Sequence, residues 1–281
     1  METKRFFLGN PLLIFFVTVC YFLSFILRAE AWRIYLGKEV KFFSCLQGVL
    51  LSLFVNHITP IKVGDIVRIG VLSWREKNIK PEISTHSVVV LRAMDMFFLL
   101  LFTFIGLVVF SKAFNFHLTL GLLFILILIG LIGIFLILKN CPPFVEKHIL
   151  LLKTSLAGRR FVSIFTLIAL SWTLEGAVVW GVTASIGNSL PIYKAIWVNS
   201  ITVGGQVFQI TPGGISTYES VMTAALTSFH YSVEDSYMVA LVSHSYKFIF
   251  SYLVGFLLLI HSPITKIKKI REILLIGGRQ Q

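Results

Sequence analysis

Residues 118–138 (LTLGLLFILILIGLIGIFLIL) run for 21 positions without a charge, and roughly 18 to 20 apolar residues are enough for a helix to cross a bilayer. Inside lipid the backbone must satisfy its own hydrogen bonds, so crossing segments of this kind are helical. Composition agrees: 56% of the 281 residues are hydrophobic and 14% charged, where a soluble domain carries roughly 25% charged residues. Soluble domains, disordered linkers and disulfide scaffolds are excluded.

Four further apolar segments, 11–28, 83–110, 161–186 and 234–262, predict full spans. A signal peptide is the other reading of Lys4-Arg5 followed by 12–27, but no A-x-A-like site follows, so the segment is read as a membrane helix. Two regions resist the span description. The apolar run 42–55 is short and breaks at Asn56-His57-Ile58-Thr59-Pro60; the run 192–210 breaks at Thr211-Pro212-Gly213-Gly214. Proline and glycine at membrane depth free backbone groups that only protein or a water-filled cavity can satisfy. The expected fold is all-α and polytopic, with five spans and re-entrant hairpins at 42–72 and 192–229. It forms a single domain 1–281, with halves 11–138 and 161–262 and a basic tail 263–281.

Both breaks begin Ile-Thr-Pro, at 58–60 and 210–212, and carry a charge about two helical turns later. Paired interrupted segments in two halves point to a transporter-type inverted repeat. Basic residues near span ends set orientation. With the N-terminus outside, seventeen fall in the cytoplasm: Arg28, Arg33, Lys38, Lys41, Arg75, Lys77, Lys80, Lys139, Lys147, Lys153, Arg159, Arg160, Lys266, Lys268, Lys269, Arg271 and Arg279. Four fall outside, Lys4, Arg5, Lys112 and Lys194, with Glu234 and Asp235. The C-terminus is then cytoplasmic, and the first break opens from the cytoplasm and the second from outside. This sorting accounts for much of the net charge of +12, which in a soluble chain would suggest nucleic acid; no nucleic-acid partner is expected here.

Eight ionisable residues remain inside apolar segments: Lys62, Asp65, Arg68, Arg92, Asp95, Glu175, Glu219 and Lys247. A central charge costs at least ~2.5 to 3.5 kcal/mol, so each is expected to be paired, buried in protein, or lining a polar path. Snorkelling is the alternative for Lys62 and Asp65. Arg92 and Asp95, at i and i+3, can face each other as a structural pair; alternatively Arg92 binds a ligand anion and Asp95 orients it. Glu219 follows Gly213 and Gly214 where a helix is expected to start, and its N-terminus would attract phosphate or carboxylate. Asn56, Gln206 and Gln209 flank the breaks as hydrogen-bond donors or as backbone caps. His57 and His244 lie in polar breaks and can carry protons. Trp32 and Trp74 read as interface anchors, the 26 Phe as lipid-facing filling, and Cys20, Cys45 and Cys141 as small hydrophobes. No HExxH, GxSxG, P-loop or CxxC pattern occurs, so neither metal, cofactor nor catalytic residue is assigned.

Asn56-x3-Pro60-x3-Gly64-Asp65-x2-Arg68, Leu91-Arg92-x2-Asp95 and Pro212-Gly213-Gly214-Ile215-x3-Glu219 together resemble the lysyl-phosphatidylglycerol synthase transmembrane-region family. The resemblance runs from Arg28 through Lys247, with Lys62, Asp65 and Lys247 keeping the family's charges. Ile61, Leu91 and Ser216 stand where that family usually has Gly, Glu and Gly. Members usually begin with a further membrane helix, so the N-terminus is expected to be shortened. No stretch outside the spans is long enough for the soluble aminoacyl-transferring domain of the two-part enzymes, so a stand-alone member is the expectation. The resemblance implies a flippase in the cytoplasmic membrane moving an anionic, phosphate-bearing lipid: phosphatidylglycerol, its lysyl derivative or a polyprenyl phosphate. Asn56, Lys62, Arg68, Arg92, Asp95, Gly213, Gly214, Glu219 and Lys247 would form its polar site. The alternatives are a subunit or enzyme of lipid head-group modification, with Glu219 or Asp95 as general base, and a structural membrane partner. Membrane lipids are the expected partners, with room for a homo-oligomer or a lipid-modifying enzyme.

The charge sorting predicts that single cysteines at Ser155 and Ser232, with Cys20, Cys45 and Cys141 replaced, react with an impermeant thiol reagent from opposite faces. Labelling from one face would defeat the inverted arrangement.

Overall fold

The computed structural model describes residues 9–37, 39–110, 150–208 and 211–261; the expected span 118–138 and tail 263–281 lie outside them. The helices that build the bundle are, in chain order, α1 (Pro11–Leu36), α2 (Phe42–Ile58), α3 (Gly64–Arg75), α4 (Pro81–Val109), α5 (Arg159–Ser185), α6 (Ile192–Gly205), α7 (Thr217–Thr227) and α8 (Val233–His261). No strand occurs among the described residues. α1, α4, α5 and α8 are each long and apolar enough to cross a membrane. α2, α3, α6 and α7 have 17, 12, 14 and 11 residues, at most about 25 Å at 1.5 Å per residue, short of a hydrocarbon core of ~30 Å.

Local chemistry sets the ends. α1 starts where the Asn10 side chain accepts from Leu13 N–H at 3.2 Å, with Pro11 in the first turn. It stops at Gly37, whose φ of 109° suits glycine. α4 begins with Pro81, and α6 follows Pro191. Leu12, Phe15, Ile66, Val109 and Ile260 are among the large apolar side chains that stay exposed, an apolar exterior suited to lipid. Phenylalanine does both jobs, since Phe25, Phe54, Phe98 and Phe250 are core residues.

The order long, short, short, long occurs twice, and the packing exchanges between the halves. α1 lies antiparallel on α5: Phe16 meets Trp180 and Arg28 meets Trp172. α1 is also antiparallel to α4, since Tyr35 bonds His86 and Trp32 bonds Ser87 while Arg28 reaches Asp95. The first hairpin, α2–α3, begins and ends beside the C-terminal end of α1, where Glu76 accepts from Ser44 Oγ at 2.6 Å. The second, α6–α7, begins and ends beside the far end of α4, where Phe110 contacts Tyr193 and Phe229. The hairpins therefore enter from opposite ends of the bundle.

Each hairpin is gripped by a long helix of the other half through a glycine. A Cβ on Gly106 of α4 would lie 1.7 Å from the Trp197 ring of α6, and one on Gly255 of α8 would lie 2.2 Å from the Phe54 ring of α2. Gly106→Ala and Gly255→Ala are each expected to lose about 1–3 kcal/mol by overpacking, seen as a lower unfolding midpoint in detergent. Gly70→Ala, which meets no atom within 4 Å, should be neutral or gain up to about 1 kcal/mol.

Candidate functional site

At the centre, four charges from four helices neutralise one another. Arg28 of α1 places Nη1 2.5 Å from Glu175 Oε1 of α5 and Nε 3.7 Å from Asp95 Oδ1 of α4. Lys247 of α8 stands 3.8 Å from Glu175 Oε2 and donates to Asn199 Oδ1 of α6 at 2.8 Å. Trp172 Nε1 donates to Asp95 Oδ1 at 3.0 Å, and its ring lies 4.1 Å beneath the Arg28 guanidinium. Lys247 is fourteen residues from either end of Val233–His261, the mid-helix depth expected from the sequence. Arg28 corrects the expectation: it is not a loop cation but part of this core, because α1 continues to Leu36.

The i,i+3 pair of Arg92 with Asp95 does not form. Arg92 instead holds Asp65 of the first hairpin with a two-pronged bond, Nε to Oδ2 at 2.9 Å and Nη2 to Oδ1 at 2.7 Å. A planar fork facing a carboxylate across two elements outcompetes a neighbour on the same helix, and Asp95 is claimed by Trp172 and Arg28. Arg68 is only 6% exposed, and among the described residues no carboxylate stands at ion-pair distance and its Nε has no hydrogen-bond partner. Its guanidinium lies 4.1 Å over the Trp32 ring. Trp32 is fully buried, its Nε1 fixed by Ser87 Oγ at 2.9 Å, and Gly48 clears space for the ring. It is thus a cation platform rather than the interface anchor expected. Lys62 is half-buried, within electrostatic reach of Asp65 and Arg92.

Asn56 serves the backbone: its Oδ1 accepts from Gly64 N–H at 2.8 Å at the start of α3. In the second hairpin, Gly213 and Gly214 have φ of 63° and 77° and are approached closely by the protein itself rather than left open for a ligand. A Cβ on Gly213 would lie 2.2 Å from Phe248, and one on Gly214 2.2 Å from the Gln206 amide. Gln206 donates to the Gly213 carbonyl at 3.0 Å. Glu219 stands in the first turn of α7 as expected, but its carboxylate accepts from Ser216 N–H at 2.6 Å and meets His244 Nδ1 at 2.6 Å. Ser216, where glycine is usual in the family it resembles, carries φ 76°, ψ −46°, a strained conformation for a residue with a Cβ. Ile61 needs no such freedom: among the described non-glycine residues positive φ belongs to Ser216 and His230. His57 is turned onto its own helix, Nδ1 against Leu53 O at 2.9 Å. Among the described residues no cluster of three His, Cys, Asp or Glu could hold a metal. Gln209 lies outside the described residues.

Fold and charges define an all-α, multi-pass membrane protein with a polar centre. The family model described as "Lysylphosphatidylglycerol synthase TM region" matches residues 4–255, so the chain belongs to that family. Membership ties it to lipid modification or transport in a membrane. No match was found among curated proteins or solved structures.

Removing one member of a buried charge network leaves the others uncompensated. Glu175→Leu, which strands Arg28 and Lys247, is expected to lose about 3–5 kcal/mol of stability. Arg92→Leu, from a pair whose side chains are 33% and 28% exposed, should lose about 1 kcal/mol or less. Equal losses in detergent unfolding would remove the central quartet as the anchor of the bundle.

Proposed function

We propose that the protein moves an anionic, phosphate-bearing lipid between leaflets of the cytoplasmic membrane. The observation that carries this is Arg68. Its guanidinium is buried with no carboxylate at ion-pair distance among the described residues, Asp95 and Asp65 acting on it only from further away; such a buried cation is costly, and a bound phosphate would offset that cost with bidentate hydrogen bonds. Arg92, Asp65 and Asp95 lie within electrostatic reach of it, and Lys62 within reach of Arg92 and Asp65, so three positive charges of the first hairpin and α4 face two negative ones, and Asp95 is also shared with Arg28. An apolar exterior admits acyl or polyprenyl chains, while the head group would sit among the cations. The recurring order of helices and the opposite entry of the two hairpins support an inverted repeat and alternating access around a shared site. The basic residues favour a cytoplasmic C-terminus and a first hairpin opening from that side. Asp95 and Glu219 are both engaged by protein donors, which weighs against either as a general base for head-group chemistry.

The test is leaflet exchange of labelled phosphatidylglycerol, its lysyl derivative and a polyprenyl phosphate in proteoliposomes. The wild type should accelerate at least one. Arg68→Gln should slow it at least about tenfold, a loss of about 1.4 kcal/mol, and Arg68→Lys should slow it as well, because an ammonium cannot reproduce the fork. No acceleration of any of the three lipids overturns the proposal.

A further inference from the structure

His244 is 3% exposed and Glu219 7%, and the imidazole has acceptors on both sides. Nδ1 lies 2.6 Å from Glu219 Oε1, and Nε2 lies 3.1 Å from the carbonyl oxygen of Gly213. A neutral imidazole has one N–H and one lone pair. Beside an ionised Glu219 it satisfies one contact and turns its lone pair onto an oxygen at the other. Both contacts are hydrogen bonds only when the pair holds one more proton, either as imidazolium facing carboxylate or as carboxylic acid donating to Nδ1 with Nε2–H donating to Gly213.

We infer that Glu219 and His244 form a proton-binding site inside the membrane that latches the second hairpin to α8. Glu219 stands on α7 and binds Ser216 N–H with its other oxygen, and Gly213 is in the turn before α7, so the two bonds of the imidazole hold both sides of the hairpin's tip. Loss of the proton removes one of them and loosens the tip, while Gln206 keeps its own bond to Gly213. Other groups around the pair can be named element by element. Tyr218 of α7 stacks on His244 at 4.1 Å. Lys247 follows one turn along α8, in reach of Glu175 of α5 and Tyr21 of α1. His57 of α2 lies within electrostatic reach of His244. α6 contributes the neutral Asn199 and the segment after it Gln206. The two groups share one short contact, so the proton belongs to the pair rather than to either residue.

The experiment follows hydrogen exchange of 211–220 in the full chain in phosphatidylglycerol and phosphatidylethanolamine nanodiscs, between about pH 5 and about pH 9, corrected for intrinsic exchange. ¹⁵N-histidine spectra and the infrared carboxylic-acid band report the proton itself. Wild-type protection should fall at least about threefold as the proton leaves. Glu219→Gln supplies an amide that accepts from Ser216 N–H and donates to Nδ1, making every bond without a titrating proton; its protection should stay high and pH-independent, and the proton signal should vanish. Wild-type protection that ignores pH overturns the latch whatever the spectra show, and so does a Glu219→Gln variant as loose as the alkaline wild type. Absence of both proton signals in the wild type overturns the site. None of these readouts needs lipid movement, so failure of leaflet exchange removes the transport proposal and leaves this one standing.

Discussion

Glu175 is the hinge on which the charge balance of the bundle turns. One carboxylate, on the long helix of the second half, faces Arg28 of the first half with one oxygen and Lys247 of the last helix with the other. In a medium of low dielectric the attraction between such charges is strong, and so is the cost of removing any of them from water. The antiparallel packing of α1 on α5 is what brings Arg28 to Glu175, and Asp95 completes the neutral set from α4.

The two hairpins share a helix order and little chemistry. In the first, Asn56 caps the broken backbone and Asp65 is taken by Arg92, while Arg68 is stacked on Trp32 with no carboxylate at ion-pair distance among the described residues. In the second, the broken backbone is held by Gln206, His244 and Glu219. Strain at Ser216 belongs to the second tip, where the conformation is over-determined by three side chains.

Hydropathy placed three of the four described long helices well: 83–110, 161–186 and 234–262 against Pro81–Val109, Arg159–Ser185 and Val233–His261. The breaks at Pro60 and Pro212 were equally legible, because proline and glycine act on their own backbone. The end of α1 was not. Arg28 looks like a terminal charge in a one-dimensional pattern, and only a carboxylate far along the chain allows the helix to continue through it to Leu36. For the same reason the Arg92 and Asp95 spacing suggested a pair that three-dimensional competitors break, and Trp32 gave no sign of the guanidinium above it. Of the candidate residues, Arg68 is buried over Trp32, Arg92 is paired with Asp65 near Lys62, and Asp95 and Lys247 join the central ion network; Asn56, Gly213, Gly214 and Glu219 hold backbone or packing. Charge type at membrane depth is visible in sequence, whereas the partner that claims each charge is a property of the fold.

Phe248, next to Lys247, shows how the two tips can sense each other. Its ring is 4.8 Å from His57 of the first hairpin and 4.8 Å from His244 on its own helix, and it fills the space that a Cβ on Gly213 would occupy. The turn 212–214 packs directly on α2. Close-packed interiors do not deform continuously, so a displacement of the second tip must move this ring and with it the wall of the first. Each hairpin is also held by a glycine on the long helix of the opposite half, at Gly106 and Gly255. Each hairpin thus packs on a long helix of the other half, α6 on α4 and α2 on α8, and both of those helices also carry members of the buried quartet, Asp95 and Lys247.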